Sequence, residues 1–234
     1  MDLKQNSVSS SRNQSFVGTL PSGLPKVYAT VASNQHRESL EQYISSIFQA
    51  AYGANILQYL PALFCLRQGY SYTAALGLSS AASSPLFSEQ YLQTSIELQV
   101  QTVYAKKASR HNIMELGNLV ASAPGQGPLL YLLIAAALHE AGIEYLVFVA
   151  NKTVRLSIER SGFTPVAIQA ADPASLGRSA KCWGTYYEGD PVVMLADIEL
   201  SQRQALSQPL LRETLKQYEA EIGSLAGVIR SYKI

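Results

Sequence analysis

The most regular pattern of apolar and polar positions lies in the middle third of the chain. A strand with an internal glycine, Gly117, is followed by a helix that is apolar on nearly every side, a continuous apolar strand and a second helix. The four elements are predicted over residues 112–120, 129–141, 144–150 and 151–162. A helix without a polar face must be buried, and a wholly apolar strand is typical of a sheet covered on both faces. The succession therefore predicts a parallel βαβ unit, with a bulge or a close backbone approach at Gly117.

A helix and a hairpin precede this unit. The helix, the two hairpin strands and a further short helix are predicted over residues 34–51, 62–67, 72–78 and 88–99. Gly53 is suited to cap the first helix, and the polar residues 68–71 are suited to the hairpin turn. Residues 1–33 are rich in Ser and Asn and poor in aliphatic side chains, so we expect a disordered leader there.

The last third of the chain predicts two more strands and a helical tail. The strands are expected over residues 182–187 and 192–198. In the tail, residues 209–234, apolar side chains recur at spacings of four and three, which makes one stripe of about three heptads. Such a stripe packs on its own domain or forms a homodimer seam, and the pattern fits both. We therefore expect one α/β domain over residues 34–200, with a central mixed sheet flanked by helices, and a C-terminal helical extension over 201–234.

Composition narrows the class of protein. The 234 residues are 47% hydrophobic and 15% charged, enough for a sizeable core, and the net charge of +1 argues against a nucleic-acid partner. The longest apolar run has ten residues, whereas a membrane-spanning helix needs roughly 20, and the N-terminus lacks the apolar segment of a signal peptide. The two cysteines and three histidines match no metal or redox spacing. We expect a cytoplasmic protein with no permanently bound cofactor and no metal.

One turn has the composition of an anion site. Gly125, Gln126 and Gly127 lie between a predicted strand and the N-terminus of a predicted helix, where free backbone N–H groups and the helix dipole attract phosphate. An ordinary strand-to-helix turn would have the same composition.

The segment that follows resembles a known cofactor-binding pattern. Asn151 is followed by Gly162 and Phe163, and this spacing resembles the NxxAxxLYxxxGF segment of the GNAT acyltransferases. The resemblance implies that residues 118–120 and the Gly-rich turn hold the pantetheine and pyrophosphate of an acyl thioester. The chain departs from the family where Ser122 replaces Gln or Arg, and where Ile158 occupies the position of the usual acid tyrosine.

Four further blocks extend the resemblance over most of the chain, which is similar to the bacterial thermostable hemolysin family. They are YGANI with YLP at 52–61, ALGL through PLFSEQYL to IE at 75–97, ELGNL at 115–119, and WGTYY through Pro191 to Asp197 and Ile198. This resemblance implies a GNAT-like fold close to that of the acyl-homoserine-lactone synthases.

Several side chains in these blocks could act in acyl transfer. Glu115 could take a proton from an attacking amine, or it could be a structural carboxylate. Tyr186 or Tyr187 could protonate the leaving thiolate, since only one of two neighbours on a strand faces a cleft. The donor thioester would be held by Asn118, Leu119, Val120, Asn151 and Arg155, and the acceptor by Glu89, Glu97 and Tyr52.

Some of these assignments have alternatives. Asn118 could instead hold a strand bulge, and Glu89 and Glu97 could belong to a solvated helix face. Lys152, Arg155 and Arg160 could dock an acidic acyl carrier protein or form a plain surface.

The leading hypothesis is an N-acyltransferase that moves an acyl group from acyl-CoA or acyl carrier protein to a small-molecule amine. The alternatives are a membrane-active cytolysin and a catalytically inactive GNAT-like binding protein.

Overall fold

The computed structural model describes residues 15–16, 23–30 and 36–232. Its strands are β1 (Ser15–Phe16), β2 (Lys26–Thr30), β3 (Ala62–Gln68), β4 (Ser71–Ser80), β5 (Ile113–Ala121), β6 (Tyr145–Ala150), β7 (Val166–Ala170) and β8 (Val192–Asp197). Its helices are α1 (Arg37–Tyr52), α2 (Ile96–Tyr104), α3 (Gln126–Glu140), α4 (Lys152–Arg160), α5 (Ile198–Ser207), α6 (Pro209–Gln217) and α7 (Glu219–Ser231).

All eight strands of the described part join one mixed sheet, in the order β1-β2-β3-β4-β5-β6-β8-β7. Neighbours are antiparallel except β5 and β6, which are parallel, with Glu115 opposite Val147. This confirms the predicted βαβ unit. The parallel pairing ends at Leu116 and Phe148, although both strands continue, so β5 and β6 separate at their carboxyl ends. That separation opens the sheet at its centre.

A bulge lies beside this opening, where the internal glycine predicted one. In the register of β4 against β5, Ala75 pairs with Val120 and Gly77 with Gly117, so β5 holds one extra residue. Asn118 takes up this residue with a positive φ of 52°. The segment after α1, which includes Leu60, passes close to the bulge. A Cβ on Gly117 would lie 3.0 Å from the Leu60 Cδ1, so the absence of a side chain at Gly117 makes room for this segment.

The helices cover both faces of the sheet. α3 packs against α5 and α7, and its buried residues include Leu130, Leu133 and Ile134, as its uniform apolarity predicted. α1 buries Leu40, Ile44 and Phe48 and ends at Gly53, whose left-handed φ of 64° confirms the predicted cap.

The C-terminal stripe packs on the chain's own core. Tyr218 separates α6 from α7 and is buried, and its hydroxyl donates to the Pro25 carbonyl. Leu225 and Ile229 are buried in the same cluster as α3. The expected boundary at residue 200 falls inside α5, and the helical extension that follows it shares the main core.

Two further expectations are corrected. Residues Lys26–Thr30 form β2, paired with β3, so this part of the expected leader belongs to the sheet. Most of residues 1–33 lies outside the described residues. The predicted strand 182–187 is instead two 3-10 helical segments, Pro173–Trp183 and Tyr186–Gly189, and the edge partner of β8 is β7.

Residues 182–187 do not form a strand because their backbone groups have partners in and just after α1. Cys182 and Thr185 pair with the end of α1 rather than with a strand: Asn55 N donates to Cys182 O at 2.7 Å, and Thr185 N donates to Tyr52 O at 2.8 Å. The predicted helix 88–99 is likewise a 3-10 turn, Phe87–Tyr91, followed by α2. Ser95 caps α2 by accepting from Leu98 N and so begins a new helix.

Candidate active site

A cavity of about 370 Å³ lies where β5 and β6 separate. One side is formed by the two strands and the start of α4, and the other by the segment after α1 and the two aromatic 3-10 segments. Its wall includes residues 55–60 and 116–119 together with Phe48, Tyr52, Phe87, Gln90, Tyr91, Glu115, Phe148, Val149, Asn151, Val154, Ser179, Cys182, Trp183, Tyr186 and Tyr187. The volume is within the range of small-molecule sites, roughly 300–1,000 Å³.

Among the residues that the structure describes, Glu115 is the only charged side chain in the wall of the cavity. It is only 3% exposed, and its carboxylate accepts from Phe87 N at 2.8 Å and from Ser88 N at 2.6 Å. Burial raises the pKa of Glu115 above its ordinary value, and the hydrogen bonds from Ser88 and Phe87 partly oppose that shift. A carboxyl with a raised pKa, held by fixed donors beside a cavity, can act as a general base.

Aromatic rings form the side of the cavity opposite the strands. Trp183 is central, with ring centroids 5.3 Å from Tyr186, 5.6 Å from Phe87 and 6.3 Å from Tyr187. The aromatic wall, as we call it, comprises Phe48, Tyr52, Phe87, Tyr91, Trp183, Tyr186 and Tyr187. Seven rings leave this side of the cavity largely apolar.

Two hydroxyl groups in the aromatic wall form one short contact. The Tyr91 and Tyr187 oxygens are 2.6 Å apart. Burial raises the pKa of Tyr187, and it raises the pKa of Tyr186, whose hydroxyl donates to Val149 O at 3.4 Å. Both phenols are therefore protonated at neutral pH, and the raised pKa makes each a weaker acid than a free tyrosine.

Two asparagines tie the cavity wall together. Asn151 caps α4, since its Oδ1 accepts from Val154 N at 3.0 Å, and its Nδ2 donates to the Tyr52 hydroxyl at 2.8 Å. Asn118 Oδ1 accepts from Leu60 N at 2.9 Å. These contacts fix α4 and the segment after α1 on either side of the strand opening.

Comparison with known sequences assigns the family. The family model described as thermostable hemolysin matches residues 30–202, well over half of the chain. The chain belongs to the thermostable hemolysin family. No curated protein sequence matches it.

Solved structures show the fold of this family member. It is similar to FeeM, an N-acyl amino acid synthase from uncultured soil microbes, with a TM-score of 0.53, 16% identity and coverage of 80% of this chain and 99% of that one. It is similar to the AHL synthase LasI, with a TM-score of 0.51, 10% identity and coverage of 75% and 90%. The complex of TofI with an inhibitor and MTA has a TM-score of 0.51 at 14% identity, covering 79% and 98%. The fold is thus the GNAT-like α/β fold that the sequence predicted.

Three groups of predicted site residues lie outside the described wall of the cavity in this family member. The first is the Gly-rich turn. Gly125 has a φ of 77° and is the N-cap of α3, and Gln126 Oε1 accepts from the Thr73 hydroxyl at 3.0 Å. A Cβ on Gly127 would meet only Ala121, at 3.5 Å, which is an ordinary contact. The structure therefore explains these residues as a turn, and their pyrophosphate role stays a prediction.

The second group is the pair of carboxylates expected to bind the acceptor. Arg110 contacts Glu89 through both carboxylate oxygens, at 2.8 and 2.9 Å, and reaches Glu97 at 3.2 Å. Glu89 also accepts from Leu86 N, and the hydrogen bonds from Arg110 lower its pKa. The structure therefore explains both carboxylates as parts of an ion-pair network, and their role in binding the acceptor stays a prediction.

The third group consists of Arg155 and Val120. Arg155 donates to the Ala150 carbonyl at 2.8 Å and to the Asp190 carbonyl at 2.6 Å, which explains it as a brace between β6 and the loop before β8. Val120 is buried and pairs with Ala75 across the sheet. Leu119, at the bulge, does line the cavity.

We expect Glu89→Gln to lower the free energy of unfolding by about 1–3 kcal/mol at neutral pH, since it removes one charge from a bidentate pair. The folded pKa of Glu89 is lowered, so this contribution is present above its unfolded pKa and is lost as the pH falls through the folded pKa. Urea denaturation at neutral and acidic pH measures it. An equal loss at both pH values would contradict the ion-pair origin.

The sequence missed several cavity residues. Tyr91, Phe87 and Gln90 lie in the family block PLFSEQYL, where Glu89 was selected instead because it is charged. Trp183 also lines the cavity. A cluster of aromatic residues in two family blocks was the available signal.

The part of the chain that the structure describes has neither a membrane-spanning helix nor a cluster of metal ligands. No helix in residues 23–30 or 36–232 is long and apolar enough to cross a membrane. The same residues hold no group of three or more His, Cys, Asp or Glu side chains that could bind a metal ion.

Proposed function

We propose that this protein is an N-acyltransferase, which moves an acyl group from a thioester donor to a primary amine. The observation that carries the proposal is the cavity between separating parallel strands, with a buried carboxylate, Glu115, beside it. An acyl-transfer enzyme of this kind needs an open strand edge for the donor and a base for the amine. Two similar folds belong to proteins named as synthases of acylated amines, which supports the proposal.

The donor arm would lie along β5 beyond Leu116. There β5 is no longer paired with β6, so its backbone groups can hydrogen-bond to the two amides of a pantetheine arm, as an added strand would. The bulge turns the backbone at Asn118 and Leu119 towards the cavity. The Leu119 N–H is our candidate for polarising the thioester carbonyl.

The reaction is direct transfer. The amine nitrogen attacks the thioester carbonyl carbon, a C–N bond forms, and the C–S bond breaks. Glu115 takes the proton that the nitrogen loses, directly or through one water. The thiolate that leaves takes a proton from the Tyr91–Tyr187 hydroxyl pair or from solvent. Cys65 is buried with a pKa raised to about 12, so it is no candidate nucleophile.

The experiment that tests this proposal is a thiol-release assay. The protein is incubated with decanoyl-CoA and 2-phenylethylamine, free CoA is followed with a thiol reagent, and N-decanoyl-phenylethylamine is identified by mass spectrometry. Amide formation above the rate without protein supports the proposal. Thiol release that yields only decanoic acid would show a thioesterase instead.

A carrier-protein donor would dock on the exposed basic residues of α4. Lys152 and Arg160 are exposed, whereas Arg155 is half-buried and committed to carbonyls. We expect Lys152→Glu with Arg160→Glu to lower kcat/KM for a decanoyl carrier protein by about tenfold or more at low salt, with less loss at high salt. The rate with decanoyl-CoA should change little. Equal losses for both donors, or no loss, would exclude this surface as the docking site.

The homodimer and the cytoplasmic location inferred from the sequence stay predictions.

A further inference from the structure

We infer that the acceptor is a primary amine with an aromatic or apolar body and no carboxylate. This inference rests on the proposed function and concerns the half of the cavity formed by the aromatic wall. It separates this protein from a synthase of N-acyl amino acids, whose acceptors carry a carboxylate beside the amine.

The charges of the cavity support the inference first. Among the described residues of its wall, Glu115 is the only charged side chain, and these residues include no Lys, Arg or His. Two arginines on neighbouring segments have other partners: Arg110 pairs with Glu89 and Glu97, and Arg155 donates to the Ala150 and Asp190 carbonyls. A carboxylate that enters such a cavity loses its hydration and finds no cation to pair with. Beside Glu115 it would also meet a like charge.

An ammonium group meets the opposite conditions. Glu115 supplies a carboxylate, and aromatic faces attract a cation with about 0.5–2 kcal/mol each, depending on desolvation. The rings of Trp183, Tyr186 and Tyr52 stand close together, with centroids 5.3 Å apart for each successive pair. The same rings provide apolar area for the carbon body of the amine. The amine can therefore enter as an ammonium; it loses one proton to solvent before it attacks, and Glu115 takes the second proton as the C–N bond forms.

The shape of the wall favours a flat body over a long chain. Tyr52 and Tyr186 are nearly perpendicular, at 83°, and Trp183 and Tyr187 are likewise, at 79°. Edge-to-face arrangements of this kind accept a further ring on the free face. We therefore assign arylalkylamines as the class to test.

The chain provides a direct binding signal. Trp183 is the single tryptophan of the sequence and lines the cavity, so the tryptophan emission reports on this site alone. 2-Phenylethylamine, phenylalaninamide and phenylalanine share the same ring and amine and differ in the group on the α-carbon. Titration of each without donor should give tight binding for the amine and the amide, and at least about 100-fold weaker binding for phenylalanine. Equal or tighter binding of phenylalanine overturns the inference, and weak binding of the amide as well as the acid would overturn its basis in charge.

A variant that adds a cation makes the test sharper. Gln58 is exposed and lines the cavity. Gln58→Arg should raise the affinity for phenylalanine relative to phenylethylamine by about tenfold or more, because a charge-assisted hydrogen bond becomes available. Gln58→Met, of similar length and neutral, should leave the ratio unchanged. A ratio that does not respond to the arginine contradicts the inference.

Two outcomes separate this inference from the proposed function. If phenylethylamine binds but no donor yields an amide, the acyltransferase proposal fails, and arylalkylamines stand as the ligand class of the aromatic wall. If amides form from phenylalanine in preference to phenylethylamine, the acceptor class fails and the acyltransferase proposal stands.

Decanoyl-CoA and phenylethylamine should bind to the protein at the same time. Competition between them would assign the aromatic wall to the acyl chain and overturn the inference.

Discussion

Glu115→Gln should lower turnover by roughly 10²–10⁴-fold while the affinity for decanoyl-CoA changes little. The amide of Gln has the shape of the carboxylate and accepts one backbone N–H, but it cannot take a proton from the amine. Because Phe87 N and Ser88 N both donate to this carboxylate, the side-chain NH₂ of Gln will face one of them. We therefore expect some loss of stability, which must be measured alongside turnover.

The pH profile distinguishes a base from an anchor. Burial raises the pKa of Glu115, so the wild-type kcat/KM should fall, as the pH is lowered, at a pH above the ordinary range of glutamate. Glu115→Gln should lack this limb and keep only the limb due to protonation of the amine. A variant that is less stable but keeps normal turnover and the acidic limb would reduce Glu115 to an anchor for residues 87–88.

Glu89→Gln is the matched control for this experiment. It also removes a carboxylate that holds the loop before α2, through Leu86 N and Arg110, but it lies outside the described cavity wall. It should lower stability and leave turnover at wild-type level. Equal losses of turnover in the two variants would mean that loop order, rather than proton transfer, controls the rate.

Gly184→Ala should destabilise the fold by about 2–5 kcal/mol and remove binding at the cavity. Gly184 has φ 53° and ψ −128°, a conformation that side chains with a Cβ rarely adopt. A Cβ there would overlap the Tyr52 carbonyl oxygen and lie 2.9 Å from the carbonyl carbon of Gly53. These are backbone atoms, so no side-chain rotation relieves the overlap. The segment with Trp183 must then leave the end of α1.

Urea denaturation and the tryptophan emission measure both effects. The emission maximum of Gly184→Ala should move towards that of an exposed indole, since Trp183 loses its ring contacts. Gly127→Ala is the control, because its Cβ meets only Ala121 at 3.5 Å and lies in a helix, where Ala is favoured over Gly. Normal stability in Gly184→Ala would refute the close packing of this segment on α1.

Local patterns were sufficient for the centre of the fold. The apolar helix α3 and the apolar strand β6 are continuous runs of apolar residues separated by a turn, so the local pattern predicted both elements and their parallel connection. Gly117 indicated the bulge because a strand interior rarely loses its side chain without a packing reason. Glu115 and Asn118 could be selected as site residues because they lie on this well-predicted strand.

The sequence by itself thus determined the mixed α/β sheet, the family, and Glu115 as a candidate carboxylate on the first strand of the βαβ unit. The tertiary structure decided what surrounds that carboxylate, because those contacts join residues far apart in the chain. The WGTYY segment has the aromatic composition of a strand, yet Gly184 bends it against Tyr52, 132 positions earlier, and turns its rings into the cavity. Arg110 likewise pairs with Glu89 and Glu97 and leaves Glu115 as the charge in the described wall. Periodicity measures only neighbours along the chain, so neither arrangement is visible in it.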